Sequence, residues 1–163
     1  GGKMRNAICL VTMLSIGCAA RPLIRPVIQD TFTINAAYDD TWWAVVSTLS
    51  GMSIHVETID KDSGLLNTKF IYFSGGMYAD KDIEKVAAIQ TSFLLIWTRG
   101  RFKLNIYASK LTDSQTQLKI TLRIEGYESN ISKGWNVLYS KGVIERRIAE
   151  IVDAKVNAVS MDN

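Results

Sequence analysis

One imidazole, two thiols and a few hydroxyls beside basic residues are the side chains of this 163-residue chain to weigh first for chemistry. His55 is the single histidine. It stands in a stretch read as a strand, opposite Ile54 and Val56, with no nucleophile signature beside it. A general base needs a proton to take, so a surface or hydrogen-bonded histidine is the simpler reading. Asp60-Lys61-Asp62-Ser63-Gly64 begins like a calcium loop, but Gly64 fills the fifth place and Ile71 the twelfth, where a bidentate Glu is required. Turn chemistry is the better account. Ser140-Lys141 pairs a hydroxyl with an amine, yet neighbours at a helix start point in different directions and no S-x-x-K occurs. Ser140 reads as a helix cap. The sequence has no G-x-S-x-G, no G-x-G-x-x-G, no G-x-x-x-x-G-K and no Cys/His cluster of metal-ligand spacing. The expectation is no catalytic residue, no cofactor and no metal.

The two thiols point to a location instead. Lys3 and Arg5 precede the apolar run from Ala7 to Ile16, followed by Gly17-Cys18-Ala19-Ala20. A cationic start, about ten apolar residues and then small residues have the form of a secretory signal. Leu14-Ser15-Ile16-Gly17-Cys18 resembles the lipobox of bacterial lipoproteins. That resemblance implies a signal peptide over residues 1–17 and a thioether-linked lipid on Cys18, with three acyl chains on the mature residue. Several chains together anchor a protein stably, where one binds only marginally. Ala19, in place of the Asp that favours inner-membrane retention, implies the outer membrane with the domain facing the periplasm. Cleavage before Cys18 discards Cys9 and leaves no partner for a disulfide. Residues 18–30 hold Pro22 and Pro26, the only prolines, and read as an extended tether to a domain at 31–159.

A hydrophobic fraction of 47% with 21% charged residues is that of an ordinary globular chain and excludes a disordered or collagen-like one. The net charge of +3 falls to +1 without Lys3 and Arg5, which provides no footprint for nucleic acid. Arg99, Arg101 and Lys103 cluster near a hairpin and read as a solvated edge.

The elements that position these residues follow from periodicity. Thr31–Ile34 alternates as a strand, and Tyr38, Trp42, Val45, Val46 and Leu49 recur at helical spacing up to Gly51. Ile54–Thr58 and Leu65–Phe73 flank the Asp60–Gly64 turn as a hairpin, and residues 80–88 form a short helix. Phe93–Trp97 and Phe102–Ala108 read as a second hairpin about Arg99-Gly100. After a turn at Thr112-Asp113-Ser114, Leu118, Ile120, Leu122 and Ile124 give the cleanest strand. A last helix from Ser140 carries a stripe of Val143, Ile144, Ile148, Ile151, Val152, Val156 and Val159. The expected class is α+β, a single antiparallel sheet with helices on one face, in the order β-α-β-β-β-β-β-α. Its outward register would show Ile71, Phe73 and Tyr107, an apolar strip for a partner. Trp42 and Trp43 point about 100° apart on their helix, so at least one of them borders the surface.

Thr41-Trp42-Trp43 through Gly51, Val56, Asp60 to Gly64 with Thr68, Arg101-Phe102-Lys103-Leu104, and Trp135 through Glu145 resemble small helix-grip lipoproteins. These are related to the C-component lipoprotein of the outer-membrane β-barrel assembly machine. The resemblance implies a long carboxyl-terminal helix lying across an antiparallel sheet. The expected function is a noncatalytic, membrane-anchored periplasmic module that binds another envelope protein. The alternative is a carrier or sensor of a lipid or other hydrophobic small molecule, held between sheet and terminal helix with residues 75–89 as a flap.

Overall fold

The computed structural model describes residues 25–76, 79–90 and 92–161, so Cys9, Cys18 and the lipobox lie outside the described residues. In chain order the elements are β1 (Thr31–Ile34), α1 (Tyr38–Gly51), β2 (Val56–Asp60), β3 (Leu65–Thr68), β4 (Ile71–Gly75) and α2 (Ala79–Val86). Then come β5 (Ala87–Ala88), β6 (Trp97–Thr112), β7 (Gln115–Glu128), β8 (Gly134–Ser140) and α3 (Val143–Met161). The fold is α+β with one antiparallel eight-stranded sheet, in the order β2-β3-β6-β7-β8-β5. No described helix is long and apolar enough to cross a membrane.

The β6–β7 hairpin is the spine of the sheet, paired from Trp97↔Glu128 to Thr112↔Gln115. Two strands lie end to end along each of its outer edges: β3 and β4 on β6, β1 and β8 on β7. Phe102, Leu104, Ile106 and Ala108 of β6 and Leu118, Ile120 and Ile124 of β7 are buried on one face, as strict alternation requires. Their counterparts are Trp42, Val45 and Leu49 of α1, Ile83 of α2, and Ile148 and Val152 of α3. Trp43, on the other side of α1, is exposed.

The expected hairpin about Arg99-Gly100 is not present: β6 runs through both residues. Gly100 pairs directly with Gly126 of β7. A Cβ on Gly100 would lie 2.7 Å from the Phe73 ring and 2.9 Å from Ile83, and one on Gly126 would lie 2.7 Å from Trp97. The paired glycines are a bare patch of sheet onto which α2 and two aromatic rings settle, the close-approach role of glycine in a strand. The expected Leu65–Phe73 strand is likewise divided, into β3 and β4, and β8 was not anticipated.

Helix α1 ends in a Schellman motif. Ser53 adopts φ 56°, its N–H reaches the Ser50 carbonyl, and the Ile54 N–H reaches that of Leu49. Gly51 is the last helical residue, two positions before the left-handed Ser53. The Ser140 hydroxyl accepts the Gly142 N–H ahead of α3, close to its expected capping role.

Glu128 closes the β7–β8 connection from within. Its carboxylate is 1% exposed and accepts the backbone N–H groups of Ile96, Asn130, Ile131 and Ser132 at 2.6–3.2 Å. Burial alone would push the carboxyl up; the four donors outweigh it and hold it at about 2, against an ordinary 4.5. A folded-state value below the unfolded one contributes stability that is complete above pH 4.5 and lost as the pH falls towards 2. Glu128→Gln is therefore expected to destabilise the protein at pH 7, with the gap from wild type closing through that window. Urea unfolding across pH 2–7 measures it; a gap of constant size would contradict this role for Glu128.

Candidate functional site

All three helices pack on one face of the sheet, leaving its other face to be shaped by its own side chains. On that open face the outward register of β6, β7 and β8 sets arginines against aromatic rings. Arg101 is inserted between Phe70 and Trp135, its guanidinium carbon 4.1 and 3.9 Å from the two ring centroids. Arg99 lies 4.3 Å from the Tyr127 ring and 5.5 Å from that of Trp135. Trp135 itself meets Tyr72 and Tyr127 edge to face. Such stacking orients planar guanidinium groups while leaving their charge available.

Glu125 organises the cations. It is buried, and its Oε2 takes Nε and Nη2 of Arg101 at 2.8 and 2.6 Å while its Oε1 takes Nε and Nη2 of Arg123, both at 2.8 Å. Burial alone would lower the Arg101 pKa; hydrogen bonds to the Tyr72 hydroxyl and Glu125 raise it, so the group stays charged. One carboxylate between two arginines leaves a positive remainder. Arg99 and Lys103 add to it, since neither forms an ion pair among the described residues. The arrangement holds no nucleophile–base pair and no group of three metal-binding side chains among the described residues. What it can do is receive an anion flanked by flat, weakly polar surface.

Of the expected strip of Ile71, Phe73 and Tyr107, only Tyr107 faces outward, 44% exposed. Ile71 and Phe73 pack on the core, Phe73 against Phe102. The cause is the break after Thr68. The Thr68 hydroxyl accepts the Leu104 N–H, and the chain re-enters the sheet with its register moved by one residue. A one-residue slip exchanges faces, so Phe70 and Tyr72 turn outward instead. Tyr107 lies towards the opposite end of β6, lining an open cleft of about 490 Å³ with Tyr38, Asp62 and Lys110. The three residues do not form one surface.

The expected solvated edge of Arg99, Arg101 and Lys103 lies instead in the middle of the sheet, on β6, which has neighbours on both sides. Phe70, Tyr127 and Trp135 were missed as their partners. A readable signal existed in the strict alternation of Arg99, Arg101 and Lys103. His55 is exposed, outside any strand.

The last residues of the expected tether are docked. The Asp30 carbonyl accepts the Ile120 N–H, Ile28 lies against Gly142, and Arg25 sits over the Tyr139 ring. Beneath the middle of α3 the layer is filled: Ile124, Ile148 and Val152 are all 0% exposed. Residues 79–86 form α2, whose Ala79 and Ile83 are buried in the core. No protein-family model and no curated protein matches the chain.

Proposed function

We propose that this chain is a noncatalytic binding module of the bacterial cell envelope. It is anchored by lipid at Cys18 to the periplasmic face of the outer membrane, and its open sheet face docks an acidic segment of another envelope protein. The observation that supports the reading is the aromatic and arginine surface around Trp135, with more positive charge than Glu125 neutralises. Trp, Tyr and Arg dominate the energetics of protein interfaces because each places large area or several donors on few rotatable bonds. A partner carrying Asp and Glu would meet Arg99 and Lys103 directly. Arg101 is already held by its rings and Glu125, so little ordering would remain for binding to impose.

The test is a photo-crosslinking residue at Tyr72 in the full chain, in intact cells. It is expected to capture one predominant envelope protein, and Arg99→Glu with Lys103→Glu should reduce the adduct at least tenfold. Capture must also fall with added salt, since it depends on exposed charges. An adduct indifferent to charge reversal, or one made only with lipid, would overturn the reading.

A further inference from the structure

The two strands on the outer edge of β7 do not meet. Pairing with β1 ends at Lys119 and pairing with β8 begins at Ile124, so residues 120–123 have no strand beside them on that edge among the described residues. A cavity of about 610 Å³ occupies the gap. Both registers of β7 line it, and it reaches the first turn of α3, where Glu145 stands. Glu145 is 0% exposed, and neither of its carboxyl oxygens has a hydrogen-bond partner among the described residues.

A carboxyl group withdrawn from water with no donor is costly to leave so, and native structures seldom do. The other charged groups around the cavity are engaged. Arg123 is held by Glu125, Asp30 accepts from the Thr31 hydroxyl and lies 3.9 Å from Lys119, and Arg25 lies over Tyr139. Glu145 is left as an acceptor beside walls that include Val27, Ile28, Leu122 and Leu138.

We propose that this cavity binds an organic ammonium bearing an apolar chain, with Glu145 accepting from the ammonium and the aliphatic walls covering the chain. A charged donor answers a carboxyl group better than a neutral one, because charge-assisted hydrogen bonds are the stronger class. A metal ion is the poorer occupant: no group of three metal-binding side chains exists among the described residues. The volume falls within the range of small-molecule sites, roughly 300–1,000 Å³. This site meets the arginine surface at Arg123, but its ligand would be held by Glu145 and the aliphatic walls, so it does not depend on the docking reading.

Hexylammonium is the probe, titrated into the full chain by calorimetry and followed by methyl resonances, with hexanol and hexanoate as controls. Hexylammonium is expected to bind and to move the resonances of Ile28, Leu122 and Leu138; hexanol should bind at least tenfold more weakly and hexanoate not at all. Glu145→Gln should weaken hexylammonium at least tenfold while the protein melts no lower than wild type. Val137→Trp, at the exposed rim of the cavity, should weaken binding with Glu145 intact. Equal binding of hexanol and hexylammonium, shifts confined to other parts of the fold, or retained affinity in both variants would each overturn the proposal.

Discussion

Gly64→Ala is expected to destabilise the domain by roughly 2–5 kcal/mol, combining about 1–2 for a side chain in the left-handed region with about 1–3 for overpacking. Gly64 turns the β2–β3 connection with φ 73°, and a Cβ there would stand 2.0 Å from the carbonyl oxygen of Ala108. That obstacle is backbone of the central strand, so no rotamer change relieves it. The same carbonyl belongs to a residue whose N–H donates to the Gly64 carbonyl at 2.9 Å, and moving the turn away from β6 breaks that bond. Gly51→Ala is the control: nothing lies within 4 Å of its would-be Cβ at the end of α1. Alanine there should be neutral or stabilise by up to about 1 kcal/mol. Urea denaturation of both variants measures the contrast. A Gly64→Ala protein within about 0.5 kcal/mol of wild type would mean that the turn is free to leave β6.

Ile148→Ala is expected to cost roughly 2–5 kcal/mol, the usual range for truncating a buried Ile. Ile148 belongs to the stripe by which α3 joins the core formed with α1 and the sheet, and none of it reaches solvent. Arg146, two residues earlier, is exposed, and its replacement by Ala should cost no more than about 0.5 kcal/mol. Equilibrium unfolding separates the two. If Ile148→Ala kept full stability, α3 would have to be an element docked loosely over a core that closes without it.

Alternation and helical spacing were enough to locate α1, the turn at residues 112–114, β7 and most of α3. Each of these buries one face against one neighbouring layer, which is the condition under which period reads as structure. Gly100 misled because glycine between apolar runs signals a turn and a close approach alike; what lies over it is the Phe73 ring and Ile83, both distant in sequence. β8 escaped because Trp135, Val137 and Tyr139 face outward while Leu138 faces in, so apolar residues sit on both registers and the alternation cancels. Ile71 and Phe73 were placed on the wrong face by one slipped residue, which no periodicity can see across a break. Glu145 left a trace that could have been used. It stands three residues before Ile148 and seven before Val152, a carboxyl group on the apolar stripe.

The β6–β7 hairpin also sets the order in which the chain can assemble. Its rungs join residues from Thr112 and Gln115, next to the turn, out to Trp97 and Glu128, so each new rung closes only a little more chain than the last. β1 must instead bring Thr31 to Lys119 across most of the molecule. The entropy of closing a loop grows with its length, which favours zipping the hairpin before its outer strands arrive. Side chains along β6 and β7 then carry the rate of folding, whereas those of β1 and the docked segment before it carry the rate at which the native state comes apart.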